Sequence, residues 1–558
     1  MDDKRRVQMK IEIISPIECK VSRQDGELLK PCLSFPAYYY KQKQYKKERI
    51  DYHKHVFTTV TPEHCYFWLG LLSRVKKYCK SKNIKCQITG SVENLTSIPI
   101  EPNVPGYNFH NNKYAYQLQL IKAAILKKRG VIKAATGSGK TIVQLGIASC
   151  FPKEKCIIFA HTLDIVSQTV EKAKKAGFDV GIFAEGKKET DKQITVATIQ
   201  SIGNPIMVYE DLLKVMGKSA DKEWWSQREQ IQNANLSVLA ECSGYDSVEK
   251  LLKSKTQEAI IGRKRQKETD NCIHALQLLA NRTGIEQSAK TVLDFLAENT
   301  IVMVDEGHHI ATIEGSYVHA LSHTFAPIRL AFTATLPTNE EATLSLEGLI
   351  GPVIEELTIN EATNLGVLAK PKIKIIRSPY NHEVDREYNY QKAYDIGIVN
   401  NIKRNELIIN TAIDYINEDK SILIMVNKIA HGENLISTAR DICNIPKKEF
   451  DSVFRYVQGK TTSEQRGFVK NALNNKKIRC VISTVIWKEG VDIPSLDVVI
   501  NGGGGKDEKT CLQILGRGLR RTGTKNTVII VDIFDPHNHH LLNHFGERLY
   551  IYSKNDWL

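Results

Sequence analysis

One stretch, Ala134-Ala-Thr-Gly-Ser-Gly-Lys-Thr141, constrains this chain more than any other. A β-branched apolar run, Gly130-Val-Ile-Lys-Ala134, leads into it, and apolar residues at helical spacing (Ile142, Val143, Leu145, Ile147) lead out. Strand, Gly-rich turn, Lys-Thr and helix together make the setting of a phosphate-cradling loop. Gly137 and Gly139 let backbone N–H groups converge on an anion without Cβ clashes, and the helix N-terminus adds partial positive charge. Ser138 completes the turn, Lys140 is placed for the β- and γ-phosphates, and the Thr141 hydroxyl for Mg²⁺. ATP and Mg²⁺ are therefore the expected cofactors, although Ala134 stands where the generic pattern begins with glycine.

At 558 residues the chain is too long for a single core. No segment approaches the roughly 18 uninterrupted apolar residues of a membrane span, so no membrane partner is expected. Met1-Asp-Asp-Lys-Arg-Arg has no apolar run behind it, which argues against a secretory leader. The 12 cysteines are scattered without a C-x-x-C pair and read as reduced thiols of an intracellular chain, offering no zinc site. The formal net charge of +14 favours a polyanionic partner. Residues 1–110 carry 19 Lys and Arg against 11 Asp and Glu.

Residues 1–105 read as a small α+β accessory domain, and their excess of positive charge makes nucleic acid the expected partner. Alternation over Val7–Ile14 marks a strand, and Thr61-Pro62-Glu63 carries the signature of a helix start, with Tyr66, Leu69, Leu72 and Val75 on one face. Between them Tyr38, Tyr39, Tyr40 and Tyr45 interleave with Lys41, Lys43, Lys46 and Lys47. Such a stretch suits base stacking and phosphate tracking; it equally suits a solvated edge strand whose tyrosines support a small sheet. After Pro102, Pro105 and Gly106 the pattern alternates strand and helix, which implies a parallel sheet with helices on both faces. Residues 106–365 form one such α/β domain, interrupted at about 203–297 by polar, helix-favouring sequence. Residues 366–558 form a second, with strands at Ser421–Val426, Arg479–Ser483, Val498–Asn501 and Thr527–Val531 but no phosphate loop. Its role is to assist at a nucleotide held by the first.

Asp305 and Glu306 follow the apolar run Thr300-Ile-Val-Met-Val304, at the strand end where a parallel sheet binds ligands. Asp305 is placed to hold Mg²⁺, and Glu306 to orient and deprotonate a water for in-line attack on the γ-phosphate. Thr333 and Thr335 end another strand, where their hydroxyls suit coupling of hydrolysis to movement; a capping role is the plain alternative. On a helical pattern in the second half, Gln513, Arg517 and Arg520 share one face. The planar cationic fork of arginine suits a γ-phosphate. The run Asp535-Pro-His537-Asn-His539-His540 with His544 lacks partners for a metal site and reads as a surface helix.

These stretches resemble, in order, the motifs of superfamily 2 helicases, and Asp305-Glu306-Gly307-His308 resembles the DExH members, with Gly307 where alanine is more usual. Tyr456-Val-Gln-Gly-Lys460, Trp487–Pro494, Asn501–Gly505 and Asp532–Tyr550 are similar to bacteriophage UvsW-type helicases. The resemblance covers roughly residues 107–535 apart from the insertion. It implies two tandem RecA-like parallel-sheet domains, with the small N-terminal α+β domain before them and a helical insertion in the first. It further implies Gln117, Gly490 and Asp492 at the nucleotide, and His308 in coupling with Thr333 and Thr335. Candidates for nucleic-acid contact are Tyr39, Lys41, Lys43, Lys46, Thr198 and Thr484. The implied activity is an ATP-dependent DNA helicase on single-stranded and branched DNA (unwinding, branch migration, fork regression, with 3′-to-5′ polarity) in the cytoplasm, the host's if phage-encoded. An RNA or transcript-release helicase is the first alternative, and a nucleic-acid-binding ATPase switch without unwinding is the second.

Overall fold

The computed structural model describes residues 8–43, 46–92, 95, 97–111, 114–219, 247, 274, 277–278, 281–484, 493, 495–506 and 526–558. At the N-terminal end lie β1 (Gln8–Ile13), β2 (Glu18–Ser22), α1 (Arg23–Leu29), β3 (Ser34–Lys43), β4 (Lys46–His55), β5 (Phe57–Val60), β6 (His64–Trp68), α2 (Leu72–Ser81) and β7 (Lys85–Thr89). Five of these strands form one sheet in the order β5-β6-β2-β1-β7, while β3 and β4 pair only with each other. Period-2 burial explains β1, whose Met9 and Ile11 are inside while Gln8 and Lys10 are exposed.

The expected helix start at Thr61 is instead a turn between β5 and β6. The Thr61 N–H donates to the His64 carbonyl at 2.8 Å, and the His64 N–H to Thr61 Oγ1 at 3.0 Å. The following His-Cys-Tyr-Phe-Trp run buries Cys65 and Phe67 in alternation, so aromatic strand preference and packing on β2 prevail; the helix begins only at Leu72. A Thr-Pro-Glu cluster serves turns as well as helix starts.

The first parallel-sheet domain contributes α3 (Ala115–Lys127), β8 (Arg129–Ala134), α4 (Lys140–Ser149), β9 (Cys156–Ala160), α5 (Leu163–Lys175), β10 (Val180–Ala184), β11 (Lys187–Lys188), β12 (Ile194–Thr198), β13 (Ile301–Asp305), β14 (Ile328–Thr333) and β15 (Val353–Leu357). Its sheet runs β11-β10-β12-β9-β13-β14-β8-β15, parallel throughout except for the β10–β11 hairpin. Strands β9, β12 and β14 are buried along their whole length, as expected where helices cover both faces. The second domain has β16 (Lys370–Arg377), β17 (Ile422–Met425), β18 (Phe454–Val457), β19 (Cys480–Ser483), β20 (Val498–Asn501) and β21 (Thr527–Phe534) in an all-parallel sheet ordered β16-β21-β20-β17-β19-β18. The two tandem RecA-like sheets are thus present, each with its ligand edge at the strand C-termini.

Two compact units can be distinguished: Met1–Thr198 with Thr300–Ala311 and Pro327–Leu558, and Ile199–Asn299 with Thr312–Ala326. Within the second unit, helices span Ile199–Ser219, Arg282–Ala297 and Ser316–Ser322. Gly203 lets the first helix approach the Ser316 backbone so closely that a Cβ would lie 2.2 Å from the Ser316 carbonyl oxygen. Glu210 then meets His319 at 2.9 Å and His323 at 3.6 Å. The third of these helices follows β13 in the chain. No helix among the described residues is long and apolar enough to cross a membrane.

Candidate active site

Strand order assembles the site. β13, β14 and β8 are consecutive neighbours, so the Asp305-Glu306 pair, Thr333 with Thr335, and the phosphate loop all emerge at one edge of the sheet. In the loop, Gly137 (φ 87°) and Gly139 (φ 85°) adopt the left-handed backbone that glycine permits. At Gly139 a Cβ would lie 2.4 Å from Gln117 Nε2. Gln117 Nε2 and the Tyr116 hydroxyl both donate to the Ser138 carbonyl, at 3.2 and 2.7 Å, which fixes the turn from α3. Lys140 opens α4, and its Nζ reaches back to the Ala134 carbonyl at 3.4 Å.

Asp305 is half-buried beside Glu306, and its carboxyl is pushed up to about 6 by desolvation, then by the Glu306 charge, with Lys140 pulling the other way. Glu306 sits in the left-handed region (φ 48°), an uncommon conformation for a non-glycine residue and one found at functional sites. Its Oε2 lies 3.4 Å from His308 Nδ1. His308 Nδ1 is also 3.0 Å from Thr333 Oγ1, whose own proton goes to the Thr335 carbonyl at 2.7 Å. The Thr333 oxygen must therefore accept from His308, which assigns the imidazole proton to Nδ1. A continuous polar path results, from Glu306 through His308 to Thr333 and Thr335.

The residues present fit a magnesium nucleotide. Two carboxyl groups share a half-buried edge with Lys140, and among the described residues Ser138 Oγ and Gln117 Oε1 are buried without a hydrogen-bond partner. Such orphaned polar atoms call for a polar occupant. His161 at the end of β9 stacks on His309 after β13, with ring centroids 3.9 Å apart and planes 10° apart. Neither imidazole was singled out from sequence; the signal was a histidine at one strand end and a His308-His309 doublet at its neighbour's.

Other candidates are placed elsewhere. Thr198 and Thr484 are buried at the ends of β12 and β19. Tyr39 stands half-exposed on β3, and Lys41, Lys43 and Lys46 belong to the β3–β4 ribbon. Gly490, Asp492, Gln513, Arg517 and Arg520 lie outside the described residues. The expected surface helix near the His-rich run spans His539–Lys554, but it buries Leu541, Phe545, Arg548 and Tyr552. His537 is buried too, its Nε2 3.2 Å from the Ser378 carbonyl. No metal-binding cluster occurs among the described residues.

Paired parallel sheets, a phosphate loop and an Asp-Glu pair on the neighbouring strand ends define the motor core of a superfamily 2 helicase. Residues 111–338 match the family described as Type III restriction enzyme, res subunit, and residues 404–522 match the helicase conserved C-terminal domain. This chain carries both domains and resembles UvsW. The ATP-dependent DNA helicase uvsW of Enterobacteria phage T4 is 25% identical over 240 residues, 42% of this chain and 46% of that protein. The DNA 3'-5' translocase XPB2 of Sulfurisphaera tokodaii is 36% identical over 107 residues, 17% of this chain and 24% of that protein. Each match thus spans less than half of the relative's length. The DNA-bound DUF1998 helicase MrfA shares the fold, with a TM-score of 0.50 at 14% identity over 82% of this chain and 56% of that one.

Proposed function

We propose that this chain is an ATP-dependent DNA helicase or translocase that works on branched DNA in recombination, repair or replication. The observation that carries the reading is the single sheet edge that gathers Lys140, Asp305, Glu306 and Thr333 at the ends of three adjacent strands. The relatives named for DNA support DNA over RNA as the track, and XPB2's name supports 3′-to-5′ movement.

In this reading the Lys140 ammonium binds the phosphate oxygens that gain charge on the way to cleavage. Glu306 orients a water and accepts its proton, held in place by His308. Thr141 and Asp305 would hold Mg²⁺, which when bound would neutralise phosphate charge. The path from His308 to Thr333 and Thr335 makes the water-activating carboxylate sensitive to strain at the end of β14. Arg517 and Arg520 of the second domain add cationic forks to the γ-phosphate.

ATP hydrolysis measured with single-stranded DNA, forked DNA, a four-way junction and RNA, alongside strand displacement, tests the reading. Forked and four-way DNA should stimulate most and be unwound. Stronger stimulation by RNA would make the chain an RNA motor, and stimulation without displacement would make it an ATP-driven switch.

A further inference from the structure

The β3–β4 ribbon stands apart from the sheet of its own module. Its strands pair antiparallel through ten registers, from Ser34↔His55 to Lys43↔Lys46, and neither joins another sheet. Ten residues per strand give a ribbon about 30 Å long. Its foot is anchored, since Phe35 and Val56 are buried and the Val56 N–H donates to the Leu33 carbonyl at 2.9 Å. At Tyr38, Tyr39 and Tyr52 it is exposed on both faces. Tyr38 and Tyr39 are consecutive and so point to opposite faces, yet they are 55% and 52% exposed; Tyr52 is 43% exposed.

A two-stranded ribbon with both faces in water is marginally stable on its own. Local side-chain pairs hold this one. Arg49 lies 4.3 Å above the Tyr38 ring on one face, and Tyr39 meets Tyr52 edge-on at 5.9 Å. These pairs leave large aromatic surfaces outward instead of covering them. Residues 34–55 carry six Lys and Arg against two acids, so the surface is complementary to a polyanion.

We propose that the β3–β4 ribbon docks in the major groove of duplex DNA. A B-form major groove, about 12 Å wide, admits a two-stranded ribbon. The A-form groove of duplex RNA is too deep and narrow for it. The face that carries Tyr38 and Arg49 then meets base edges and thymine methyls, the face with Tyr39 and Tyr52 is turned away from the groove floor, and the ribbon's positive charge is neutralised by phosphates of the groove walls. The inference rests on the reading that the chain acts on nucleic acid, and it adds a duplex-holding element beside the motor.

Equilibrium binding of the full chain, without ATP, to a blunt DNA duplex, an RNA duplex of the same sequence and an oligo-dT strand tests this. The wild type should bind duplex DNA more tightly than duplex RNA. Tyr38→Ala with Arg49→Ala should weaken duplex DNA binding by about tenfold, the equivalent of one good base-edge contact. A second variant, Gln at positions 41, 43, 46 and 47, changes only lysines. It should lower the slope of log affinity against log salt by about 0.9 for each phosphate that a lysine no longer neutralises. The proposal is overturned if both variants bind duplex DNA within about twofold of wild type, where RT-scale differences lie. Equal wild-type affinity for the two duplexes overturns it as well, as does a weakening confined to oligo-dT, which would mean stacking on open bases. Nucleic-acid-stimulated ATP hydrolysis by the wild type, measured separately, reports on the motor reading alone.

Discussion

At the scale of single residues, the site makes demands that substitution can separate. Lys140→Ala and Glu306→Gln should each abolish turnover, but Glu306→Gln should still bind ATP, because the phosphate loop and Asp305 remain; nucleotide binding by fluorescence and phosphate release separate the two, and near-wild-type turnover in either would defeat the assignment. Gly307 is the position where the resemblance favours alanine, and the fold explains the glycine: a Cβ there would lie 2.8 Å from the Ala331 Cβ on β14. Gly307→Ala should therefore cost on the order of 1–3 kcal/mol through overpacking, and adding Ala331→Gly should recover part of it in urea unfolding. A buried histidine gives a pH dependence. His431 is fully buried, its Nε2 3.1 Å from Asn405 Oδ1, and burial followed by the Arg404 charge pushes its pKa down from 6.5 to about 3. The unfolded chain takes up a proton near 6.5 that the folded chain refuses until about 3. The stability contributed by neutral His431 is thus complete above 6.5 and is lost as pH falls through that window. His431→Gln should flatten the acid slope of unfolding free energy by up to about 1.4 kcal/mol per pH unit; an unchanged slope would place the acid sensitivity elsewhere.

At the scale of elements, the N-terminal module is built into the first motor domain at a close joint. Trp68, at the end of β6, packs on the helix Glu340–Leu349 where Gly348 makes room: a Cβ there would lie 2.4 Å from the Trp68 ring. Gly70 lets the module's backbone approach the same helix, and Arg74 on α2 bridges Glu340 and Glu347, both at 2.7 Å. Arg129 at the start of β8 donates to the Pro16 carbonyl. Gly348→Ala should cost on the order of 1–3 kcal/mol, and Trp68→Ala should cost at least as much by opening a cavity, both read from urea midpoints. A midpoint unchanged by Gly348→Ala would mean the joint is loose in solution. None of this was legible in the sequence, because two glycines and an arginine carry no sign of which backbone they approach. The parallel strands were legible for the opposite reason: runs such as Cys156–Ala160 and Val498–Asn501 are apolar along their length and bounded by turn residues. The phosphate loop and the Asp305-Glu306 pair were legible because their chemistry fixes residue types at fixed spacing. The His161–His309 stack was not, since stacking across strands depends on strand order, and strand order is a property of the sheet.

At the scale of the whole molecule, hydrolysis is expected to need both motor domains. Arg520→Ala should lower kcat by on the order of 10²-fold or more, in the range of arginine-finger effects, with a smaller change in ATP affinity. The two domains also share packing: Ile165 and Val166 of α5 belong to the same buried apolar cluster as Val469 and Leu473 of the helix Ser463–Asn474. Beside that packing runs an ion pair, with Arg466 Nη2 2.9 Å from one Asp164 oxygen and 3.1 Å from the other. Asp164 lies in the first turn of α5, directly after the strand that ends at the His161–His309 stack, so the pair ties the second domain to the edge that carries Glu306. Both side chains are mostly buried, which makes removal of one partner costlier than at an exposed pair. Arg466→Ala and Asp164→Ala should each lower DNA-stimulated kcat, while the charge-swapped pair Asp164→Arg with Arg466→Asp should recover part of the loss. A double-mutant cycle on kcat should return a coupling of about 0.5–3 kcal/mol, the range of directly interacting neighbours. Additive single losses would show that the ion pair does not hold the domains together during turnover.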